Sequence, residues 1–221
     1  MPDHTTIEAT LAGLYPATAK TFFSPALPKI AQLLAEEKTV TAGMVEKRRA
    51  EFTHGRYCAR AALELLGVEA APIGKGLNRE PVWPTGIIGS ISHTEGAAAA
   101  VVAKSADMIS VGLDMEGYAP LQSDLIPMIC LPDENPDQDG RHAKLLFSIK
   151  ESIYKCIYPL VSEYIDFLEM EVFLDSNALT FSARPRAARL DPNLIARIKG
   201  RYRVQSQLVI SAAWISQPKP M

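Results

Sequence analysis

Seven apolar residues in succession, at positions 97–103, restrict the fold of this 221-residue chain more than any other segment. The run is well short of the roughly 18–20 residues that a membrane span needs, and it is typical of a buried strand. Residues 87–92 before it predict a second strand, with a turn at residues 93–96 between the two. Residues 86–104 are therefore expected to form a β-hairpin, with His93 at the end of its first strand.

The longest predicted helix precedes this hairpin, at residues 41–66. Thr41 is placed to cap its first turn, and Gly67 follows the last apolar pair, where a C′ glycine is common. Four side chains recur at spacings of four, three and four residues and so share one stripe: Arg49, Thr53, Arg56 and Arg60. The stripe is either a solvated helix face or one wall of a phosphate-binding site.

Carboxylates are concentrated on one strand and one helix further along the chain. Asp114 and Glu116 end a predicted third strand, and side chains two apart share one face of a strand. Glu151 and Lys155 stand four residues apart, on one face of a predicted helix at residues 143–160. Neighbouring carboxylates repel each other unless a cation joins them, and their oxygens suit Mg²⁺. A plain salt bridge and a solvated strand end are the alternatives.

Cationic side chains upstream complement these acids. The loop at residues 74–84 contains two glycines and two prolines, and it carries Lys75 and Arg79. Such a loop can present N–H groups and an ammonium to an anion, although it lacks the spacing of a P-loop. Together with the helix arginines and His93, these cations suit a phosphorylated ligand. The residues thus predict Mg²⁺-dependent chemistry on such a ligand and leave kinases, hydrolases and transferases open.

The overall composition argues against several kinds of partner. The formal net charge is −2, from 23 basic and 25 acidic residues, so no global field favours nucleic acid or a membrane surface. Cys58, Cys130 and Cys156 are odd in number and lack metal-type spacing, which is typical of reduced thiols. The N-terminus lacks the layout of a signal peptide. We therefore expect a cytoplasmic protein that binds neither nucleic acid nor membrane.

The order of the predicted elements contains a weak internal repeat. The first half has a long helix, a loop and an apolar hairpin. The second has a helix, strands, a basic loop and a final apolar strand or hairpin. Residues 86–103 and 202–215 occupy corresponding places, which suggests two related half-domains built from helix and sheet.

Five segments carry a more specific pattern: Glu51-Phe-Thr-His-Gly-Arg-Tyr-Cys-Ala-Arg60, Arg79-Glu-Pro-Val-Trp-Pro84, Gly89-Ser-Ile-Ser-His93, Val111-Gly-Leu-Asp-Met-Glu116 and Phe147-Ser-Ile-Lys-Glu-Ser-Ile-Tyr-Lys155. Together they resemble the successive motifs of the 4′-phosphopantetheinyl transferases, in the branch that includes enterobactin synthase component D and the surfactin-type enzymes. The resemblance covers about residues 45–160. Ile149, where a small residue is usual, and Thr94, where serine or cysteine is frequent, depart from it.

The resemblance implies a metal site and a catalytic pair. Asp114, Glu116 and Glu151 would hold Mg²⁺ against the pyrophosphate of coenzyme A, and Lys155 would contact that pyrophosphate. Glu151 is also the candidate base for the attacking hydroxyl, either directly or through a metal-bound water.

The resemblance also implies a set of residues that bind coenzyme A. Arg56, Lys75 and Arg79 would line its adenosine 3′-phosphate end, while Ser92 and His93 would bind the phosphates. The set is completed by two further members of the same motifs: Arg60 and Lys150.

The family fold is α+β, with two similar half-domains in one chain, here residues 1–110 and 111–221, and the ligand cleft between them. The implied reaction transfers the 4′-phosphopantetheine arm of coenzyme A to a serine of an apo acyl or peptidyl carrier protein and releases 3′,5′-ADP. We expect a monomer, and the branch favours secondary metabolism, including siderophore synthesis. A non-catalytic coenzyme A- or nucleotide-binding protein and a Mg²⁺-dependent phosphohydrolase are the alternatives.

Basic residues are concentrated between positions 184 and 203, where Asp191 is the one acid. With apolar residues near 121–129, this segment is expected to dock an acidic carrier protein, unless its arginines are merely solvated.

Overall fold

The computed structural model of the chain describes residues 4–94, 96–135, 137–205 and 207–218. Residues 1–3, on which the prediction about a signal peptide partly rests, lie outside the described residues, as does Glu95 of the predicted hairpin turn. The described chain mixes α-helices with antiparallel β-sheets, in agreement with the predicted class. None of its helices combines the length and apolar character that crossing a membrane requires.

The first half of the chain folds into three helices and five strands. In chain order these are α1 His4–Leu14, β1 Lys20–Ser24, α2 Ala35–Thr39, α3 Glu46–Leu65, β2 Gly74–Lys75, β3 Pro81–Val82, β4 Ile87–Thr94 and β5 Ala97–Lys104. Strands β1, β5 and β4 form one antiparallel sheet in that spatial order, and β2 pairs with β3.

The second half contains the longest helix and a larger sheet. Its elements are β6 Met108–Gly117, α4 Ile126–Ile129, α5 Gly140–Val161, β7 Met170–Asp175, β8 Thr180–Pro185, α6 Pro192–Ala196, β9 Lys199–Gln205 and β10 Leu208–Ser216, with 3₁₀ turns at Pro132–Glu134 and Phe167–Glu169. The sheet has the spatial order β6-β10-β9-β8-β7 and is antiparallel at every pairing.

Strand β5 confirms the expectation of a buried hairpin strand. Its even-numbered residues from Ala98 to Val102 pack with α3, and its odd-numbered residues from Ala99 to Ala103 pack with β6, β10 and α1. Apolar residues therefore occupy both faces, because both faces are covered. His93 lies near the end of the first hairpin strand, as expected, but the turn was predicted to begin too early, since β4 continues through His93 to Thr94.

Serine side chains join β4 to β6, the strand that opens the second half. The Ser90 hydroxyl accepts the Leu113 N–H at 3.0 Å, and the Ser92 hydroxyl accepts the Met115 N–H at 3.1 Å. Side chains thus take the place of a backbone ladder at this junction, and the strands stay in contact although they belong to different sheets.

Helix α5 lies unusually close to β6 at Gly112. A Cβ there would lie 1.9 Å from the Ser152 carbonyl oxygen and 2.7 Å from the Cys156 nitrogen, so only glycine fits. The Ser110 hydroxyl, on the same face of β6, donates to the Cys156 carbonyl. The absence of a side chain at residue 112 therefore brings α5 within reach of the carboxylates further along the strand.

Several predicted helix boundaries need correction. Helix α3 begins at Glu46 and not at residue 41, because the Thr41 hydroxyl donates to the Lys38 carbonyl and does not cap α3. Gly67 has φ of +75°, as its predicted C′ role requires. Helix α5 runs from Gly140 to Val161 and so extends past both ends of the predicted range, residues 143–160.

Two short elements border α5. The single-turn helix α4 precedes it, and β7 begins at Met170 after a 3₁₀ turn. The final segment is a hairpin that already starts at Lys199.

Substituting Gly112 by alanine tests the close approach of α5. We expect Gly112→Ala to lower the free energy of unfolding by about 1–3 kcal/mol, because the new methyl group meets helix backbone. Gly13→Ala in α1 is the control: its Cβ meets no atom within 4 Å, so a gain of about 0.5–1 kcal/mol is expected there. Urea denaturation measures the free energy of unfolding of both variants. If Gly112→Ala is no less stable than Gly13→Ala, α5 can move away from β6 without a loss of stability.

Candidate active site

A cavity of about 790 Å³ opens between elements from both halves of the chain. Its walls come from α3, the β2–β3 loop, β4, β6 and α5. A volume of this size accommodates a nucleotide-sized ligand. Nine of the predicted site residues line it: Arg56, Lys75, Arg79, Ser92, His93, Asp114, Glu116, Glu151 and Lys155.

Asp114 lies at the centre of the polar wall of this pocket. It is 2 % exposed, and its Oδ1 accepts hydrogen bonds from the Lys155 ammonium at 2.7 Å and from the Ser92 hydroxyl at 3.1 Å. Its Oδ2 is buried and has no hydrogen-bond partner among the described residues. A buried carboxylate oxygen without a partner is costly, and a cation bound there would remove that cost.

The other two predicted metal ligands carry raised pKa values. Burial raises the pKa of Glu116, and Asp114 raises it further, although a salt bridge from Lys144 at 3.3 Å opposes both effects. Burial likewise raises the pKa of Glu151, against the attraction of Lys155. Burial acts to lower the pKa of Lys155, but the three carboxylates together outweigh it and the pKa is raised. The three acids therefore repel one another across one pocket.

The structure does not assemble these acids into a finished metal site. Within the described ranges, no three His, Cys, Asp or Glu side chains stand close enough together to hold a metal ion. Two of the three predicted ligands are instead neutralised by lysines. The donor set nevertheless fits Mg²⁺, because all its ligands are oxygens and one of them is buried without a partner.

His93 and residues of α3 also line the pocket. The His93 Nε2 lies 3.0 Å from Nη1 of Arg48, which always donates, so the ring must accept there and is neutral. Burial lowers the pKa of His93, and Arg48 lowers it further although Glu51 opposes this. Arg48 also pairs with Glu51 at 3.1 Å.

Arg56 lines the pocket, but it is also committed to the backbone. Its Nε donates to the Ile73 carbonyl and its Nη2 to the Gly74 carbonyl, each at 2.7 Å. Its guanidinium lies 4.2 Å from the centre of the Phe52 ring. Burial lowers its pKa to about 10, so it stays charged near neutral pH. Arg56 can therefore donate to a ligand only through the N–H groups that these backbone contacts do not use.

The β2–β3 loop crosses from α3 toward α5 and carries Lys75 and Arg79 to the pocket. Arg79 has φ of +73°, a conformation uncommon for a residue with a side chain. The Asn78 amide donates to the Tyr158 hydroxyl of α5 at 2.6 Å. The tip of the loop is thus tied to the second half of the chain.

Two predicted ligand-binding residues lie outside the pocket, so the structure corrects their assignment. Arg60 donates to the buried Glu37 carboxylate and to the Gln32 carbonyl. Lys150 is 3 % exposed, and its ammonium donates to the Ile129 carbonyl, the Phe167 carbonyl and the Glu134 carboxylate. Both cations are thus occupied by acceptors of the protein, and neither is among the residues that line the pocket.

Sequence reasoning missed the pocket residues Arg48, Glu51 and Phe52, because it chose the wrong face of α3. Gly55 could have identified the right one: a Cβ there would lie 2.8 Å from Ile91 of β4, which makes this the face that packs on the sheet. A glycine inside a helix commonly marks such an approach. Four further pocket residues were also missed: Asn78, Trp83, Tyr154 and Tyr158.

The basic segment at residues 184–203 is less free than predicted. Arg184 and Arg186 pair with Glu171, and Arg189 pairs with Glu163 and Glu169. These pairs are exposed on their arginine side, so a partner protein can still compete for them.

The sequence matches the models of two families over adjoining stretches. Residues 35–103 match the 4′-phosphopantetheinyl transferase N-terminal domain, and residues 110–204 match the 4′-phosphopantetheinyl transferase superfamily. The 4′-phosphopantetheinyl transferase Svp of Streptomyces mobaraensis is 36% identical over 94% of this chain and 90% of its own length. The chain belongs to the 4′-phosphopantetheinyl transferase family.

Other relatives agree with this membership. The 4′-phosphopantetheinyl transferase PptT of Mycobacterium tuberculosis is 34% identical over 81% of this chain and 84% of its own length. Enterobactin synthase component D of Salmonella typhi is 38% identical over 49% of this chain and 48% of its own length. The chain is therefore an enzyme of the 4′-phosphopantetheinyl transferase class.

The raised pKa of Glu151 predicts a stability change with a definite sign. A carboxyl group whose pKa is higher in the folded chain than in the unfolded chain destabilises the fold once pH rises above both values. We therefore expect Glu151→Gln to raise the melting temperature of the metal-free protein at pH 7. The difference should vanish as pH falls below the ordinary glutamate value.

Thermal unfolding of both proteins between pH 4 and pH 8 checks this. Glu64→Gln, at an exposed position late in α3, is the control and should change the melting temperature little. A Glu151→Gln protein less stable than the wild type at pH 7 would contradict the sign.

Proposed function

We propose that this transferase moves the 4′-phosphopantetheine arm of coenzyme A onto a serine of an apo acyl or peptidyl carrier protein and releases 3′,5′-ADP. The observation that carries the proposal is the meeting of Asp114, Glu116, Glu151 and Lys155 with a ring of arginine, lysine and histidine in one nucleotide-sized pocket. The similarity to enterobactin synthase component D favours a carrier of secondary metabolism, such as siderophore synthesis.

The charges that line the pocket suit the phosphates of coenzyme A. Lys75, Arg79, Arg56 and His93 suit the adenosine 3′-phosphate. Lys155 suits the pyrophosphate. Ser92 has less freedom than predicted, because its hydroxyl is already bonded to Asp114 and to the Met115 N–H.

Asp114, Glu116 and Glu151 would hold the Mg²⁺ that the family fold implies. A bound Mg²⁺ would offset negative charge on the pyrophosphate oxygens. The protein contributes Lys155, which would orient the pyrophosphate by its positive charge.

Transfer requires a bond from the serine oxygen of the carrier to the β-phosphorus and loss of the bond from that phosphorus to the bridging oxygen. The serine proton needs an acceptor, and the leaving 3′,5′-ADP takes the electrons of the broken bond. Glu151 is the candidate acceptor, because burial raises its pKa toward the range of a useful base. Lys155 can offset the charge that develops on the departing oxygen.

A repeat in the fold supports two half-domains, at residues 1–110 and 111–221, with the pocket between them. Spatial order β1-β5-β4 in the first sheet corresponds to β6-β10-β9 in the second. The long helices α3 and α5 each follow the first strand of their series and pack against its sheet. Because one chain supplies both walls, we infer that a monomer has a complete pocket.

A buried glutamate recurs in each proposed half. Glu37 accepts the N–H of Leu34 and of Ile73, and it pairs with Arg60 of α3. Glu134 accepts the N–H of Leu131 and of Val172, and it pairs with Lys150 of α5. In both cases the acid stands three residues after the leucine and before the long helix, which supports a common design.

Mass spectrometry of a carrier protein tests the proposed function. Incubation with coenzyme A, Mg²⁺ and an apo carrier should add the mass of one phosphopantetheine. Asp114→Asn should slow this transfer at least about 100-fold, the order found when one electrostatic group at a reacting centre is lost. Asp107→Asn, in the exposed turn between β5 and β6, is the control and should leave the rate unchanged.

Other results would support a different function. Tight coenzyme A binding without mass gain on several carriers would favour a binding protein. Release of phosphate or 3′,5′-ADP without a carrier would favour a phosphohydrolase.

The role of Glu151 as the base is tested by the pH–rate profile of Glu151→Gln at saturating Mg²⁺. Loss of the acidic limb, together with a lower rate, is expected because glutamine accepts no proton in this range. Transfer that persists with an unchanged acidic limb would exclude Glu151 as the base.

A further inference from the structure

Two buried charges of opposite sign fix the backbone at the base of the β2–β3 loop. The fully buried Glu37 accepts the Ile73 N–H at 3.1 Å, and its other oxygen pairs with Arg60. Arg56, on the other side, donates to the carbonyls of Ile73 and Gly74, each at 2.7 Å. The N–H and the carbonyl of one residue are thus each held by a charged side chain.

This anchoring fixes the start of the loop, while hydrogen bonds from the Gly76 N–H to the Glu80 carbonyl and from the Asn78 amide to the Tyr158 hydroxyl hold its tip. The β2–β3 ladder contains only two residue pairs, Gly74 with Val82 and Lys75 with Pro81. A two-residue hairpin is not stable by itself in water. Lys75 stands two residues after Ile73, so the direction of β2 at Ile73 decides where the Lys75 side chain starts.

The chemistry of the anchor points to positioning more than to stability. A buried ion pair adds little stability compared with well-packed apolar residues of the same volume. Hydrogen bonds to charged groups are, however, short and directional, and they fix the peptide that they hold. Glu37 and Arg60 touch no part of the pocket, yet they reach its loop through Ile73.

We propose that Glu37 and Arg60 are positioning residues for recognition of the 3′-phosphate of coenzyme A, because they hold β2 where Lys75 and Arg79 meet that phosphate. The inference rests on the proposed function, in which the loop serves the 3′-phosphate end. It assigns a role to Arg60 that differs from direct binding: the arginine neutralises the carboxylate that anchors the loop.

Comparing coenzyme A with 3′-dephospho-coenzyme A in the transfer assay tests this. Glu37→Gln keeps the size of the side chain but removes its charge and weakens its bond to the Ile73 N–H. The KM for coenzyme A should rise about tenfold, the order of one weakened hydrogen bond to a charged group. The KM for the dephospho form should stay within about twofold, since it lacks the phosphate that the loop binds.

Glu134→Gln is a matched control. Glu134 is also buried, also accepts two backbone N–H groups and also pairs with one helix cation, but it does not contact the β2–β3 loop. Its substitution should change the two KM values by the same factor. Urea denaturation of both variants shows whether their stabilities are comparable.

Three results would overturn the inference. An equal rise of both KM values in Glu37→Gln would make the anchor a general stability element, and unchanged values would show that the loop keeps its place without the charge. A wild-type protein with equal KM values for the two substrates would instead refute the 3′-phosphate assignment of the proposed function, and the inference with it.

If Glu37→Gln does not fold, Arg60→Lys replaces it, because lysine keeps the charge beside Glu37 but loses one guanidinium contact. The same selective rise is then expected at a smaller size, and its absence would contradict the inference. Hydrogen exchange of residues 73–82 gives a readout without catalysis: exchange should quicken there in both Glu37 and Arg60 variants and stay unchanged in Glu134→Gln.

Discussion

The close approach of α5 to β6 at Gly112 is the contact on which the geometry of the pocket depends. Ser110, Gly112 and Asp114 share one face of β6, since side chains alternate along a strand. Helix backbone fills the place of a side chain at Gly112. Two residues further along the strand, Lys155 of the same helix bonds to Asp114. A larger residue would push the helix outward and separate this pair. A packing constraint in the core therefore determines an electrostatic distance in the site.

The acids and cations of the site could be predicted from the sequence, but the partners of each charge could not. Spacing along one strand or helix placed Asp114 with Glu116 and Glu151 with Lys155, because local periodicity decides which side chains share a face. The sequence pattern around Arg60 or Lys150 is the same whether that residue binds a phosphate or a buried carboxylate. The deciding partners, Glu37 and Glu134, come from other segments, 23 and 16 residues away along the chain.

The fold shows the same limit. The β4–β5 hairpin and the core of α5 were predictable, because continuous apolar runs and helical periodicity need no knowledge of neighbours. The start of α3 was not, since Thr41 is an acceptable cap by type and yet bonds to the preceding turn. The pocket face of α3 was also misassigned. It was chosen from the positions of the arginines, whereas Gly55 marks the face that packs against β4.

The charges of the pocket are balanced by one another before any ligand binds. Lys155 pairs with Asp114, Lys144 with Glu116 and Arg48 with Glu51. An anion that took Lys155 alone would leave the Asp114 carboxylate without its partner, and a cation that took Asp114 alone would leave Lys155 without one. Anion and cation together satisfy both sets, so in the proposed function each strengthens binding of the other by the same factor. The internal pairs thus favour joint binding of coenzyme A and metal over either alone.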